Sequence, residues 1–144
     1  MIQPKNIIKI LKDKGIKFFA GVPDSTLKGL ISELMITKGI ILRESFNEGN
    51  AVASAIGYNI STSKIPFVYM QNSGLTNALN PFLTLAEKKP LYSIPMIFFI
   101  GWRGFKGASN KAVKEDEPQH SSIGPVTPNL LKVLKIKTVI LDEK

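Results

Sequence analysis

A single carboxylate, Glu48, stands in the run Asn47-Glu48-Gly49-Asn50-Ala51. Upstream, Ile40-Ile41-Leu42-Arg43-Glu44 reads as a short buried strand; downstream, Ala51-Val52-Ala53-Ser54-Ala55-Ile56 reads as a helix of small residues. Glu48 therefore falls in a first helical turn, where the helix dipole favours a negative charge. Either the carboxylate serves the helix end, or its charge is kept for chemistry. A second polar group, Gln71-Asn72-Ser73-Gly74, is placed in the same way after the next apolar run. Asp24 and Ser25 follow the first strand, where they can cap a helix or face a ligand. Trp102-Arg103 follows the fourth strand; the planar guanidinium suits an anion with several oxygens or a loop carboxylate, and Trp102 suits packing. His120 is the one histidine, the residue type that most often serves as a proton donor or acceptor at sites. It reads either as a proton donor or ligand contact, or as an exposed loop residue.

These residues need elements to hold them. Ile7, Ile8, Ile10 and Leu11 mark an amphipathic first helix ending near Gly15. Lys17–Val22 reads as strand one, closed by Pro23, and a helix with Leu27, Leu30, Ile31 and Leu34 on one face runs to about Thr37. Strand two is Ile40–Glu44, followed by a helix from about Asn47 to Ser61. Strand three is Pro66–Met70, after which Ser73 caps a helix through Ala86. Strand four is Pro95–Gly101; then come a long polar loop carrying His120, a helix around Thr127–Leu134 and a last strand, Thr138–Leu141. Repeated strand–helix alternation predicts an α/β fold, a parallel sheet covered by helices on both faces. Right-handed crossovers place every strand-to-helix turn on one sheet edge, and ligands bind beyond the carboxyl ends of such strands. That edge gathers Asp24, Ser25, Glu44 to Glu48, Gln71, Asn72, Ser73 and Arg103.

Composition narrows the functions. With 144 residues the chain has the length of one domain, 1–144. It has no cysteine, which removes disulfides, thiolate metal sites and a cysteine nucleophile. One histidine cannot build a multi-histidine metal site, so no metal-ligating residue is assigned. No apolar run approaches the roughly 18 residues of a membrane span, and Met1-Ile2-Gln3-Pro4-Lys5 lacks a signal-peptide core, so a cytoplasmic protein away from membranes is expected. The net charge of +8 comes from scattered lysines without interleaved aromatics, which argues against nucleic-acid binding. No dinucleotide glycine fingerprint or Walker-type loop occurs, and no nucleophile elbow surrounds Ser73. Gly101, Gly104 and Gly107 are spaced by three but fall in a loop.

Five segments occur together and in order: Gly21-Val22-Pro23-Asp24-Ser25, Asn47-Glu48-Gly49-Asn50-Ala51, Tyr69-Met70-Gln71-Asn72-Ser73-Gly74-Leu75, Ile100-Gly101-Trp102-Arg103-Gly104 and Asp116-Glu117-Pro118-Gln119-His120. From about residue 7 to residue 141 the chain resembles the pyrimidine-binding domain of the thiamine-diphosphate-dependent phosphonopyruvate decarboxylases. The sulfopyruvate decarboxylase alpha subunits share most of these segments. The Asp116–His120 run leans toward the phosphono enzymes. Thr76 replaces the glycine usual after Asn-Ser-Gly-Leu, and the lysine-rich stretch 105–115 has no clear match.

The resemblance implies a flavodoxin-like thiamine-diphosphate-binding fold and a lyase that turns phosphonopyruvate into phosphonoacetaldehyde and carbon dioxide. Sulfopyruvate decarboxylation, or a non-catalytic module of the same fold, are the alternatives; retention of Glu48 argues against the latter. It implies that Glu48 bonds the N1′ atom of the cofactor's aminopyrimidine, with Gln71, Asn72 and Ser73 also contacting the cofactor. Asp24 and His120 are the further catalytic residues it implies, and Ser25, Arg103, Gln119 and His120 the substrate-binding ones. The family carries the diphosphate and its magnesium on a second domain with a Gly-Asp-Gly segment, which does not occur here. A complementary diphosphate-binding domain or subunit, a homo-oligomeric assembly and a small 2-oxo acid are therefore the expected partners.

Overall fold

The computed structural model describes residues 3–86, 92–106, 111–112 and 117–141. Helix α1 (Pro4–Asp13) leads into β1 (Phe18–Gly21); a single 3-10 turn (Ser25–Leu27) and α2 (Lys28–Ile36) lead to β2 (Ile41–Glu44). Helix α3 (Glu48–Thr62) leads to β3 (Phe67–Gln71), and a second 3-10 turn (Asn72–Gly74), α4 (Leu75–Pro81) and a π-helical turn (Phe82–Ala86) precede β4 (Ile97–Gly101). The four strands form a parallel sheet in the order β2-β1-β3-β4. Two-residue strands β5 (Phe105–Lys106) and β6 (Lys111–Ala112) pair antiparallel, and α5 (Pro118–Val133) follows. Residues 2–101 form one compact unit and 102–144 another.

Both faces of the sheet are covered. Side chains alternate along a strand, so Phe19, Phe67, Tyr69 and Phe99 face one way. They pack with Ile8, Ile16, Leu27, Leu30, Ile31 and Leu34 of the α1–α2 side. On the opposite face Phe18 stacks on Tyr58 of α3 with ring centroids 4.4 Å apart, and Phe98 meets Phe82 edge-on at 5.8 Å. Helix α2 thus lies on one face and α3 and α4 on the other. Right-handed connections that leave β1 toward β2 and β3 toward β4 require that division.

Local chemistry explains most element ends. Gly15, at φ +82°, closes α1: its N–H bonds the Lys12 carbonyl and the Ile16 N–H bonds the Leu11 carbonyl. Asn47 caps α3 by accepting the Asn50 N–H at 2.9 Å. Asp24 likewise accepts the Thr26 N–H.

Four expectations need correction. Strand β2 is not buried: it is one of the sheet's two outer strands, and Ile41 and Arg43 are exposed, because only the central strands have neighbours on both sides. Ser73 does not cap the following helix; the helix start has no side-chain cap, and the Ser73 hydroxyl accepts a bond from Gln71 instead. The polar loop expected to carry His120 ends at Pro118, where α5 begins nine residues before its predicted start near Thr127. Pro118 favours a first helical turn, whereas Pro125 and Pro128 inside the same helix disguise its periodicity. Finally, Thr138–Leu141 forms no strand; Val139 is 76 % exposed and Ile140 56 %, since apolar sequence makes a strand only where a neighbour completes its hydrogen bonds.

Tyr69 sits fully buried on β3, opposite Gly21 of β1. A Cβ on Gly21 would overlap the Tyr69 ring, so glycine is what lets the ring cross β1. Among the described residues the Tyr69 hydroxyl is the buried side-chain atom left without a hydrogen-bond partner. Burial, and then the nearby Glu44 carboxylate, push its pKa up to about 12. The unfolded chain would ionise Tyr69 near 10, so the folded state binds the extra proton between these values. Stability is then full below about pH 10 and falls as pH rises toward about 12. Tyr69→Phe should raise neutral-pH stability by about 1 kcal/mol, by removing an unsatisfied hydroxyl, and flatten the alkaline loss. Urea unfolding of both forms across that pH range checks the sign of each effect.

Candidate active site

The carboxyl ends of β1 and β3 are neighbours whose connections leave to opposite faces, the arrangement that opens a ligand crevice in a parallel sheet. In the unit 2–101, Asp24 and Ser25 come after the end of β1, Gln71 ends β3 with Asn72 and Ser73 directly after it, and Glu48 follows the end of β2. Glu48 opens α3 and is half-buried. Its side chain lies over the backbone of Gly74, where a Cβ would overlap the carboxylate. The Asn77 amide donates from Nδ2 to Glu48 Oε2 at 2.9 Å. The expected grouping of Glu48 with the segment after β3 is therefore realised through Gly74, and Asn77 joins it.

Asp24 is 8 % exposed. Both the backbone N–H and the hydroxyl of Thr26 donate to its carboxylate. This pair sits over Gly101 at the end of β4, where a Cβ would overlap both Asp24 Oδ2 and Thr26 Oγ1. Asp24 thus acts as a helix cap, one of its two expected readings, while remaining at the strand-end edge. Ser25 is exposed, and an open groove of about 240 Å³ is lined by Pro23, Asp24, Ser25, Lys28, Ile31 and Ser32. Asn72 is fully buried, and Gln71 Nε2 donates to Ser73 Oγ at 2.9 Å. Thr76, in place of the family's usual glycine, donates its hydroxyl to the Ser73 carbonyl.

In the unit 102–144, Arg103 and His120 are brought to adjoining backbone. Gly104, at φ +76°, lies against the His120 carbonyl so closely that a Cβ would overlap it. A Cβ on Gly124 would sit 2.5 Å from the Gly104 carbonyl oxygen and 2.9 Å from that of Arg103. His120 is 7 % exposed in the first turn of α5, not an exposed loop residue; Arg103 is half-buried and Gln119 exposed. Asp116 lies outside the described residues.

Trp102 fastens this unit. Its ring stacks on Phe105 with centroids 4.9 Å apart, and Nε1 donates to the Gly124 carbonyl at 2.9 Å. That carbonyl would ordinarily bond the N–H four residues on, but residue 128 is proline and has none. The indole replaces the missing donor. Trp102 is therefore a packing residue, as its residue type suggested.

Sequence reasoning missed Asn77 and Thr26. Thr26 follows Asp24 at the spacing of an Asx turn. Asn77 follows Gly74 by three residues, on the same helical face, and that spacing was the available signal.

A parallel α/β sheet with a carboxylate-bearing helix start at its ligand edge defines a cofactor-binding domain of the open-sheet class. The chain belongs to the family described as thiamine pyrophosphate enzyme, N-terminal TPP binding domain, whose model matches residues 4–123. It is 30% identical over 143 residues to the phosphonopyruvate decarboxylase of Streptomyces hygroscopicus, covering 99% of this chain and 33% of that protein. It is also 30% identical over 132 residues to the sulfopyruvate decarboxylase subunit alpha of Methanocaldococcus jannaschii, covering 92% of this chain and 72% of that subunit. The chain thus spans about a third of the phosphonopyruvate decarboxylases it matches, and most of the alpha subunit. The crystal structure of benzoylformate decarboxylase from Polynucleobacter necessarius shares the fold, with a TM-score of 0.63 at 23% identity over 78% of this chain and 20% of that one. Among the described residues no helix is long and apolar enough to cross a membrane.

The Trp102–Gly124 bond yields a double-mutant test. Trp102→Phe keeps a stacking ring but strips the carbonyl of its donor, and should destabilise by about 1–3 kcal/mol. Pro128→Ala restores a backbone N–H for the same carbonyl, so Trp102→Phe should cost measurably less in that background. Chemical unfolding of the four forms gives the coupling.

Proposed function

We propose that this chain is the pyrimidine-binding half of a thiamine-diphosphate-dependent 2-oxo acid decarboxylase that converts phosphonopyruvate to phosphonoacetaldehyde and carbon dioxide. One observation carries the reading: Glu48 is half-buried at a helix start, with one oxygen held by Asn77 and the side chain laid over a glycine. A carboxylate so held suits a ring nitrogen that shares a proton. Because residue 74 is a glycine, the Glu48 carboxylate can occupy the place above it that a Cβ would take. When bound, thiamine diphosphate supplies the electron sink that lets carbon dioxide leave a 2-oxo acid.

This chain's residues do the rest. Glu48 holds a proton at N1′ of the aminopyrimidine. Gln71, Asn72 and Ser73, at the end of β3, contact the cofactor. Asp24, beside the groove with Ser25, handles protons at the substrate, and Ser25 binds it. Arg103, Gln119 and His120 read the anionic head group, with His120 also a proton donor. A complementary domain or subunit binds the diphosphate and its Mg²⁺, and the whole is a cytoplasmic homo-oligomer. The range 1–144 acts as a single functional module.

A second reading has its own support. The chain is 30% identical to a sulfopyruvate decarboxylase alpha subunit, the same identity as to a phosphonopyruvate decarboxylase. Sulfopyruvate is then the substrate, and the chemistry at Glu48 is the same.

Glu48→Gln tests the central claim. In the enzyme assembled with its diphosphate-binding partner, it should leave the fold unchanged and lower carbon dioxide release by about 100-fold or more, the scale of general acid–base loss. Turnover equal to wild type at saturating cofactor would overturn the assignment, and turnover by this chain without its partner would overturn the division of the site.

Head-group reading is tested separately. Arg103→Ala and His120→Ala should each lower the ratio of kcat/KM for phosphonopyruvate to that for pyruvate by about tenfold to a hundredfold, the loss of one charge-assisted hydrogen bond. Unchanged ratios in both would assign the head group to other residues. Replacing phosphonopyruvate by sulfopyruvate in the same assay separates the two substrate readings.

A further inference from the structure

Asn77 lies outside the residues assigned to the cofactor above, yet it reaches Glu48 across 29 positions of chain, donating from Nδ2 to Oε2 at 2.9 Å. The helices that carry the two residues approach closely. A Cβ on Gly49 would sit 2.9 Å from the Asn77 carbonyl oxygen and 3.2 Å from Asn47 Oδ1. On the other side, Gly74 has no Cβ to push Glu48 away. The first turn of α3 is thus seated against the segment 74–77 by two glycines, Gly49 of α3 and Gly74 of the 3-10 turn that precedes α4. Asn47 also fixes the helix start by capping Asn50. The Glu48 backbone is held from several directions, but among the described residues the hydrogen bond to its carboxylate comes from Asn77.

We infer that Asn77 is a positioning residue for Glu48: its amide holds Oε2 and so sets the carboxylate plane, leaving Oε1, over Gly74, to share a proton with the bound cofactor. The inference rests on the proposed cofactor role of Glu48. The chemistry of the amide suits the task. A carboxamide N–H donates but does not release its proton, so the proton shared by Glu48 stays between carboxylate and ligand. A lysine or histidine in that place would bring a mobile proton of its own. Aspartate would keep the shape, but replaces a donor with an acceptor facing another carboxylate.

Two measurements test this. In the chain alone, the side-chain amide proton resonances of Asn77 are followed by NMR; Glu48→Ala should shift them, whereas Thr76→Ala, one residue away and bonded to Ser73, should not. In the enzyme assembled with its diphosphate-binding partner, Asn77→Ala should lower kcat by about tenfold to a hundredfold while substrate KM stays unchanged, because a charge-assisted hydrogen bond to a catalytic group is lost. Asn77→Gln, which keeps the donor, should recover part of the loss, and Asn77→Asp should recover none. In a Glu48→Gln background Asn77→Ala should cause little further loss, since the group it positions is already disabled.

An Asn77 resonance indifferent to Glu48→Ala would overturn the inference, as would unchanged kcat in a folded Asn77→Ala enzyme whose Glu48→Gln counterpart is inactive. The second result leaves the cofactor reading intact. Full activity of Glu48→Gln would instead remove that reading and this inference together. Thermal unfolding of each variant separates these outcomes from loss of fold, and Asn77→Asp, equal in size to the native residue, decides the matter should Asn77→Ala unfold.

Discussion

The pairing of β1 with β3 is the constraint on which the rest of the unit 2–101 depends. These two strands are buried along nearly their whole length, and their chain connections depart toward opposite faces of the sheet. Two consequences follow. The strands must be apolar on both sides, and their carboxyl ends are left with no helix crossing directly above them. Polar residues can collect there without interrupting the core. Asp24 and Asn72, both buried, stand at that boundary between an apolar sheet and a polar edge.

Motif glycines at this edge act through close approach. The Tyr69 ring lies over Gly21, the Glu48 side chain over Gly74, and Asp24 with Thr26 over Gly101. In each case a glycine from one segment makes room for a side chain from another that is distant in the chain. The segments therefore act as interlocking pairs, and a larger residue at any of these glycines would displace the side chain above it. The energetic logic is one of packing: interiors are dense enough that one added methyl must move something.

In the unit 102–144 the same economy appears with different chemistry. Prolines at 125 and 128 remove donors from inside α5, a loss that normally ends a helix. Trp102 returns a donor to the Gly124 carbonyl, and the glycine pair 104 and 124 lets the turn carrying Arg103 lie against the turn carrying His120. A guanidinium and an imidazole are thereby carried on adjoining backbone.

Sequence alone determined the alternation of elements, the parallel sheet, the start of α3 with Glu48 in its first turn and the identity of the strand-end residues, because these rest on local periodicity and turn chemistry. Gly15 as the end of α1 and Asn47 as the start of α3 were legible for the same reason. Tertiary structure decided what depends on a neighbour. It made β2 an exposed outer strand, left Thr138–Leu141 without strand partners, and extended α5 back to Pro118 despite two internal prolines. It also brought Asn77 to Glu48, Thr26 and Asp24 to Gly101, and buried the hydroxyl of Tyr69 without a partner. A strand edge, a substituted hydrogen-bond donor and a side chain resting on a distant glycine are relations between segments, and no local pattern encodes which segments will meet.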